Sequence, residues 1–164
     1  MKIACLAVIS IITIYPRFSG AHGPEHTIEA TMCYPHEEIY FSCPVGNEIV
    51  SVCASGNISP KNGYVQYRFG HPGKPELEFP AESYPPMNKF SISDFHGGNI
   101  SSIHLKFKVG IYTYVVYQSS TSGVYVVRNG RTVRNLLCDA GHYRQISPRA
   151  KRGIEIVAPD ENDD

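Results

Sequence analysis

From residue 38 onward the apolar positions recur with a period of two. Over 103–109 the odd positions Ile103, Leu105, Phe107 and Val109 are apolar and the even positions His104, Lys106 and Lys108 are polar, a pattern that turns one face of a strand to a core and the other to water. The stretches 64–69 and 111–117 are rich in aromatic and β-branched residues, which suit a pleated, half-buried surface. Further strands are predicted over 38–43, 49–54, 76–79, 124–128 and 132–137, about eight in all. Between them lies turn chemistry. Asn129-Gly130 is a strong hairpin signal, because a type I′ turn needs positive φ at both central residues. Gly110 can join its two flanking strands tightly, and the proline-bearing segments 71–75 and 82–87 cannot donate ladder hydrogen bonds and read as loops. No stretch keeps a helical period over three turns. The fold class is therefore all-β, a single antiparallel barrel or sandwich spanning 38–148, preceded by a leader at 22–37. A tail at 149–164 changes composition, from the basic Arg149-Ala150-Lys151-Arg152 to the acidic Asp160-Glu161-Asn162-Asp163-Asp164, and is expected to be flexible.

The first 21 residues follow a different logic. Lys2 precedes an apolar run over 3–15, and Ser19-Gly20-Ala21 places small residues where a signal peptidase cuts, so a secretory signal cleaved after Ala21 is expected. The run is too short for a membrane span, which needs ~20 apolar residues, and Pro16 and Arg17 end it. The expected product is a soluble exported protein. The whole chain of 164 residues balances 15 Lys and Arg against 15 Asp and Glu. Loss of Lys2 and Arg17 with the signal would leave a near-neutral protein, which excludes a nucleic-acid partner, since such binding needs a cationic surface.

Cys5 would leave with the signal. The remaining Cys33, Cys43, Cys53 and Cys138 form an even set in an oxidising compartment, and two disulfides are expected among three possible connectivities. Cys138 should pair with an N-terminal cysteine, because its strand otherwise closes the domain without a covalent tie. No C-x-x-C pair supports a zinc site, and no metal or other cofactor is expected.

Enzyme chemistry finds little footing. His22, Glu25, His26 and Glu29 have helical metal-ligand spacing, but Gly23 and Pro24 interrupt them. Asp94 with His96 could form a base and its orienter, with His104 as a further candidate, yet Gly97-Gly98 beside the pair reads as a turn. There is no G-x-S-x-G elbow, H-E-x-x-H, S-x-x-K or phosphate loop, and bridged cysteines leave no thiol nucleophile. A binding module is favoured over a catalyst. The Asn57-Ile58-Ser59 and Asn99-Ile100-Ser101 sequons, with the basic tetrad, keep a eukaryotic secreted effector as an alternative, beside a small-ligand or envelope-structural module.

The segments Phe41-Ser42-Cys43-Pro44-Val45-Gly46, Val50-Ser51-Val52-Cys53-Ala54-Ser55 and Gly63 through Gly70, continuing over 75–80, 112–117 and 123–125, resemble a group of small exported bacterial proteins mostly without an assigned activity, and the resemblance implies a periplasmic location. Ser122-Gly123-Val124-Tyr125 resembles the S-G-x-Y loop of periplasmic lysozyme inhibitors, in which a protruding loop enters the enzyme's cleft. The small-residue run 119–123 offers such a loop. The resemblance implies a protein partner, a peptidoglycan-cleaving enzyme or a delivered toxin, contacted by Ser122, Gly123 and Tyr125. A serine hydroxyl could donate to one cleft carboxyl group and accept from the other.

Overall fold

The computed structural model describes residues 30–141, 143–160 and 163; the expected export signal at 1–21 and the His22, Glu25, His26, Glu29 set lie outside them. Strands β1 (Glu38–Val45), β2 (Glu48–Ala54), β3 (Val65–His71) and β4 (Lys74–Phe79) form an antiparallel meander. A second sheet contains β5 (Phe90–Gly97), β6 (Ile100–Val109), β7 (Tyr112–Gln118), β8 (Ser122–Arg128) and β9 (Arg131–Leu137), with β10 (Glu155–Val157) parallel to β5 on its edge. The protein is thus all-β, and the architecture is a sandwich of a four-stranded and a six-stranded sheet rather than a closed barrel. Among the described residues no helix is long and apolar enough to cross a membrane.

The period of two seen in the sequence decides which side chains meet between the sheets. Phe41, Val52 and Tyr67 from one sheet face Ile92, Leu105 and Val116 from the other, all buried. At one end of this core Phe107 stacks on Phe79 at 4.9 Å and on Tyr114 at 5.0 Å between ring centroids, with Tyr67 and Phe90 closing the cluster. The hairpin at Asn129-Gly130 has φ of 50° and 70°, the double positive φ of a type I′ turn.

Two disulfides form, Cys33–Cys53 and Cys43–Cys138, so Cys138 does pair with an N-terminal cysteine. The second bridge ties β1 to the residue after β9, across a sequence separation of 95. Such bridges belong to an oxidising, extracytoplasmic environment.

Two expectations need correction. Strand β5 was not among the expected strands, although the turn read at Gly97-Gly98 does form, at Gly98 and Asn99. Phe90-Ser91-Ile92-Ser93 does alternate, and an unbroken ladder to β6, from Phe90↔Phe107 to Gly97↔Ile100, carries the polar half into the strand. Over its described part, residues 30–37, the leader is pinned to the outer face of β2 by Cys33–Cys53, and the Met32 amide donates to Ser51 Oγ at 3.0 Å. The tail is not frayed throughout. Ser147 caps a short 3-10 turn, Pro148–Arg152, Ala150 and Ile154 enter the core, and β10 follows.

Candidate functional site

Each sheet has an outer face that is partly covered by a chain terminus. On the four-stranded sheet the 30–37 strap covers Arg68, whose guanidinium is fully satisfied. Nε donates to Glu78 at 2.9 Å, Nη1 to Glu37 at 2.6 Å and to the Met32 carbonyl at 3.2 Å, and Nη2 to Glu37 at 2.9 Å and Gln66 at 2.7 Å. The Tyr34 ring lies over it at 4.5 Å. Burial pushes the Glu37 carboxyl up, but hydrogen bonds from Arg68 and the Tyr34 amide, with the Arg68 charge, bring it below its ordinary value. Nothing in this network is left for a ligand.

The six-stranded sheet differs. The outward positions of β6 carry Ser102, His104, Lys106 and Lys108. Register places Ser93 of β5 opposite His104, Tyr117 and Val115 of β7 opposite His104 and Lys106, and Gly123 and Tyr125 of β8 opposite Tyr117 and Val115. A Cβ at Gly123 would run into the Leu136 carbonyl and the Tyr117 ring, so glycine is what lets Tyr117 lie flat over β8. Tyr125 sits 5.6 Å from Tyr117 and 6.5 Å from His104 between ring centroids.

Over this face comes the acidic end of the chain. Asp163 is buried, its Oδ1 lying 2.6 Å from Lys106 Nζ and 3.3 Å from His104 Nδ1. Lys106 also reaches Asp160 Oδ2 at 2.8 Å. The two acids brace each other, the Asp163 amide donating to the Asp160 carbonyl at 3.0 Å and the Asp160 amide to Asp163 Oδ2 at 2.9 Å. Burial lowers the His104 pKa, an effect opposed by Asp163 and reinforced by Lys106. Burial raises that of the Tyr125 hydroxyl, with Asp163 and Asp160 adding to it. On the same outer face Ser93 Oγ, opposite His104, and Ser102 Oγ are buried without a hydrogen-bond partner. A groove of about 690 Å³ runs on from Asp160 past Lys106, Val115 and Lys108 to Lys89. The arrangement can hold a carboxylate in a cationic, aromatic and largely dehydrated setting.

The S-G-x-Y segment is therefore not a projecting loop. The turn closes one step earlier, the Ser119 amide donating to the Thr121 carbonyl at 2.8 Å, and Ser122 begins β8. Strand alternation then splits the motif. Gly123 and Tyr125 lie on the outer face, whereas Ser122 points the other way and is buried, its hydroxyl unpartnered.

Asp94, His96 and Ser101 do come together at the β5–β6 hairpin. His96 Nε2 is 3.1 Å from Asp94 Oδ1 and Ser101 Oγ is 3.1 Å from His96 Nδ1, a carboxylate–imidazole–hydroxyl chain. Its imidazole is 71% exposed, and Asp94 is shared with Lys151. None of the three lines the groove described above, and the exposed imidazole stands in water rather than in the dehydrated setting in which such a relay gains most. His104 lies elsewhere, beneath Asp163.

A second, more apolar cleft of about 510 Å³ opens between the sheets, lined by Leu77, Tyr112, Tyr114, Val133 and Arg134 among others. Its size suits a small ligand. Lys106 and Asp163 were missed as site residues. The signal for them was the match between two lysines on the polar face of β6 and an acid-rich C-terminus.

Comparisons with protein-family models, curated proteins and solved structures found no match for this chain.

Proposed function

We propose that this is a non-catalytic periplasmic binding protein, exported by a signal cleaved after Ala21, that blocks a cell-wall-cleaving enzyme through the outer face of its six-stranded sheet. The target is a lysozyme or a toxin delivered by a competitor, against which the protein is the immunity factor. The observation that carries this reading is the Asp163 carboxylate held by Lys106 beside His104 and the Tyr117–Tyr125 pair. Wall-cleaving glycosidases work with a pair of carboxyl groups in their cleft, and a face that accommodates one carboxylate has the chemistry to engage another. Tyr125 adds a rigid amphipathic anchor.

The test is inhibition of a panel of lysozymes, and of any wall-cleaving enzyme encoded beside the gene, by the purified oxidised protein. Lys106→Met and Tyr125→Ala should each weaken inhibition by about 1–3 kcal/mol, roughly 5- to 150-fold. Ser122→Ala, on the opposite face, should leave it unchanged. Folded Lys106→Met and Tyr125→Ala proteins that inhibit as well as wild type would overturn the assignment of this face. The cleft between the sheets favours a second reading, a small apolar ligand, which a ligand-dependent rise in melting temperature lost in Tyr114→Ala would support.

A further inference from the structure

We propose that the pocket around Lys106 and His104 is a binding site for acidic protein segments, and that Asp160 and Asp163 are its built-in competitor. The inference shares a face with the inhibitor reading but does not depend on the partner being an enzyme.

Three observations carry it. The first is the occupant. Asp163 has its side chain fully buried, whereas an aspartate ordinarily remains in water unless it is paired. Its carboxylate and that of Asp160 converge on one ammonium group, with the acids three residues apart and joined by a turn. A partner segment with two acids at that spacing would present the same pair. The second is incomplete satisfaction. Ser93 Oγ and Ser102 Oγ, on the same outer face as His104, stay buried and unpartnered, so the tail covers the site without using all of its donors. A segment entering from a partner could use them, at the expense of groups that are otherwise buried unpaired. The third is continuity. The groove that Asp160 lines is lined also by Lys106, Lys108 and Lys89 against a single further acid, Glu155, a cationic balance that suits an acidic strand or turn longer than the tail.

Nothing covalent retains the competitor. The anchoring pair with Asp160 is exposed on its acidic side, where 52% of the side chain meets solvent, and it is open to screening by salt. Occupancy by the tail lowers the apparent affinity for an outside segment in proportion to the fraction of time the site is covered. A tail docked nine times in ten costs about a factor of ten.

The experiment uses the full-length oxidised protein and a fluorescent peptide corresponding to 158–164, with a control peptide carrying Asn at both 160 and 163. Binding is read by anisotropy at low and moderate salt. Asp160→Asn/Asp163→Asn protein should bind the acidic peptide at least tenfold more tightly than wild type and should ignore the control peptide. Adding Lys106→Met should remove the binding. Thermal melts establish that each variant is folded. As a check independent of any variant, excess acidic peptide added to wild type should speed hydrogen exchange at the protein's own Asp160 and Asp163 amides. Equal peptide affinity for wild type and the double variant, binding that survives Lys106→Met, or unchanged exchange in wild type would each overturn the proposal. So would a wild-type dimer formed by exchange of tails, because the acidic segment would then belong to a second copy. Inhibition of wall-cleaving enzymes is scored separately, so peptide binding without inhibition removes the enzyme reading and leaves this one standing.

Discussion

The two sheets are covered on their outer faces by opposite ends of the chain, and the coverings are built differently. The N-terminal strap is tied by Cys33–Cys53 and lays Glu37 against Arg68, every N–H of which has an acceptor. The C-terminal covering has no covalent tie, rests on Lys106 and leaves hydroxyls beneath it unpaired. Both bury charge. The difference is that a fully paired, cross-linked network seals a face permanently, whereas a partly satisfied one marks a face that can exchange its occupant.

The covalent side of this comparison gives the largest effect. Cys43→Ala/Cys138→Ala, which removes the bridge between the sheets, should cost about 4–5 kcal/mol on the chain-entropy estimate for a loop of this length, measured by urea unfolding of the oxidised proteins. The shorter Cys33–Cys53 loop should cost less, about 3 kcal/mol. A reversed order would mean that the strap, rather than the inter-sheet tie, holds the domain together.

Next comes the seal itself. Glu37→Gln leaves Arg68 buried with its main partner neutralised, and a loss of about 3–5 kcal/mol is expected, again by urea unfolding. Asp163→Asn, by contrast, removes a charge from a covering that can lift into water, while Asp160 remains on Lys106. Its cost should stay near 1 kcal/mol. Comparable costs for the two would erase the distinction between the coverings.

Much of this architecture was legible along the chain. The alternation over 103–109 and the Asn129-Gly130 turn placed β6 and the β8–β9 hairpin, and the cysteine count anticipated two bridges with Cys138 reaching back. The faces of the site were less so. His104 and Lys106 read as solvent-facing because strand periodicity reports which side a residue takes, not whether a distant segment will cover it. The Ser122-Gly123-Val124-Tyr125 motif read as a loop because its small residues suit turns, yet pairing with β7 and β9 drew it into the sheet and separated Ser122 from Tyr125. Strand β5 was hidden because Asp94, His96 and Gly97 have poor strand propensity and the ladder to β6 overrides it.

The smallest expected effect separates the coverings by pH. The folded pKa of His104 lies below its ordinary 6.5, so between that value and the folded pKa the unfolded chain binds more protons, and stability falls on acidification through that window. Among the described residues the titratable and charged groups facing His104 are Asp163, Asp160, Lys106, Tyr117 and Tyr125. Glu37 is likewise lowered, from an ordinary 4.5, with the same sign but a window starting about two pH units lower. Stability against pH should therefore decline in two steps, with His104→Gln removing the upper one and Glu37→Gln the lower. A single step below pH 4.5, unaffected by His104→Gln, would contradict the assignment.

Native-state hydrogen exchange at neutral pH on the oxidised full-length protein compares the coverings most directly. The Met32 amide, bonded to Ser51 beneath the strap, should exchange only through openings close to global unfolding, whereas the Asp160 and Asp163 amides should exchange through a local opening of much lower free energy, faster still in added salt. Exchange of all three at the global rate, insensitive to salt, would show the tail to be as permanent as the strap and would contradict a releasable binding face.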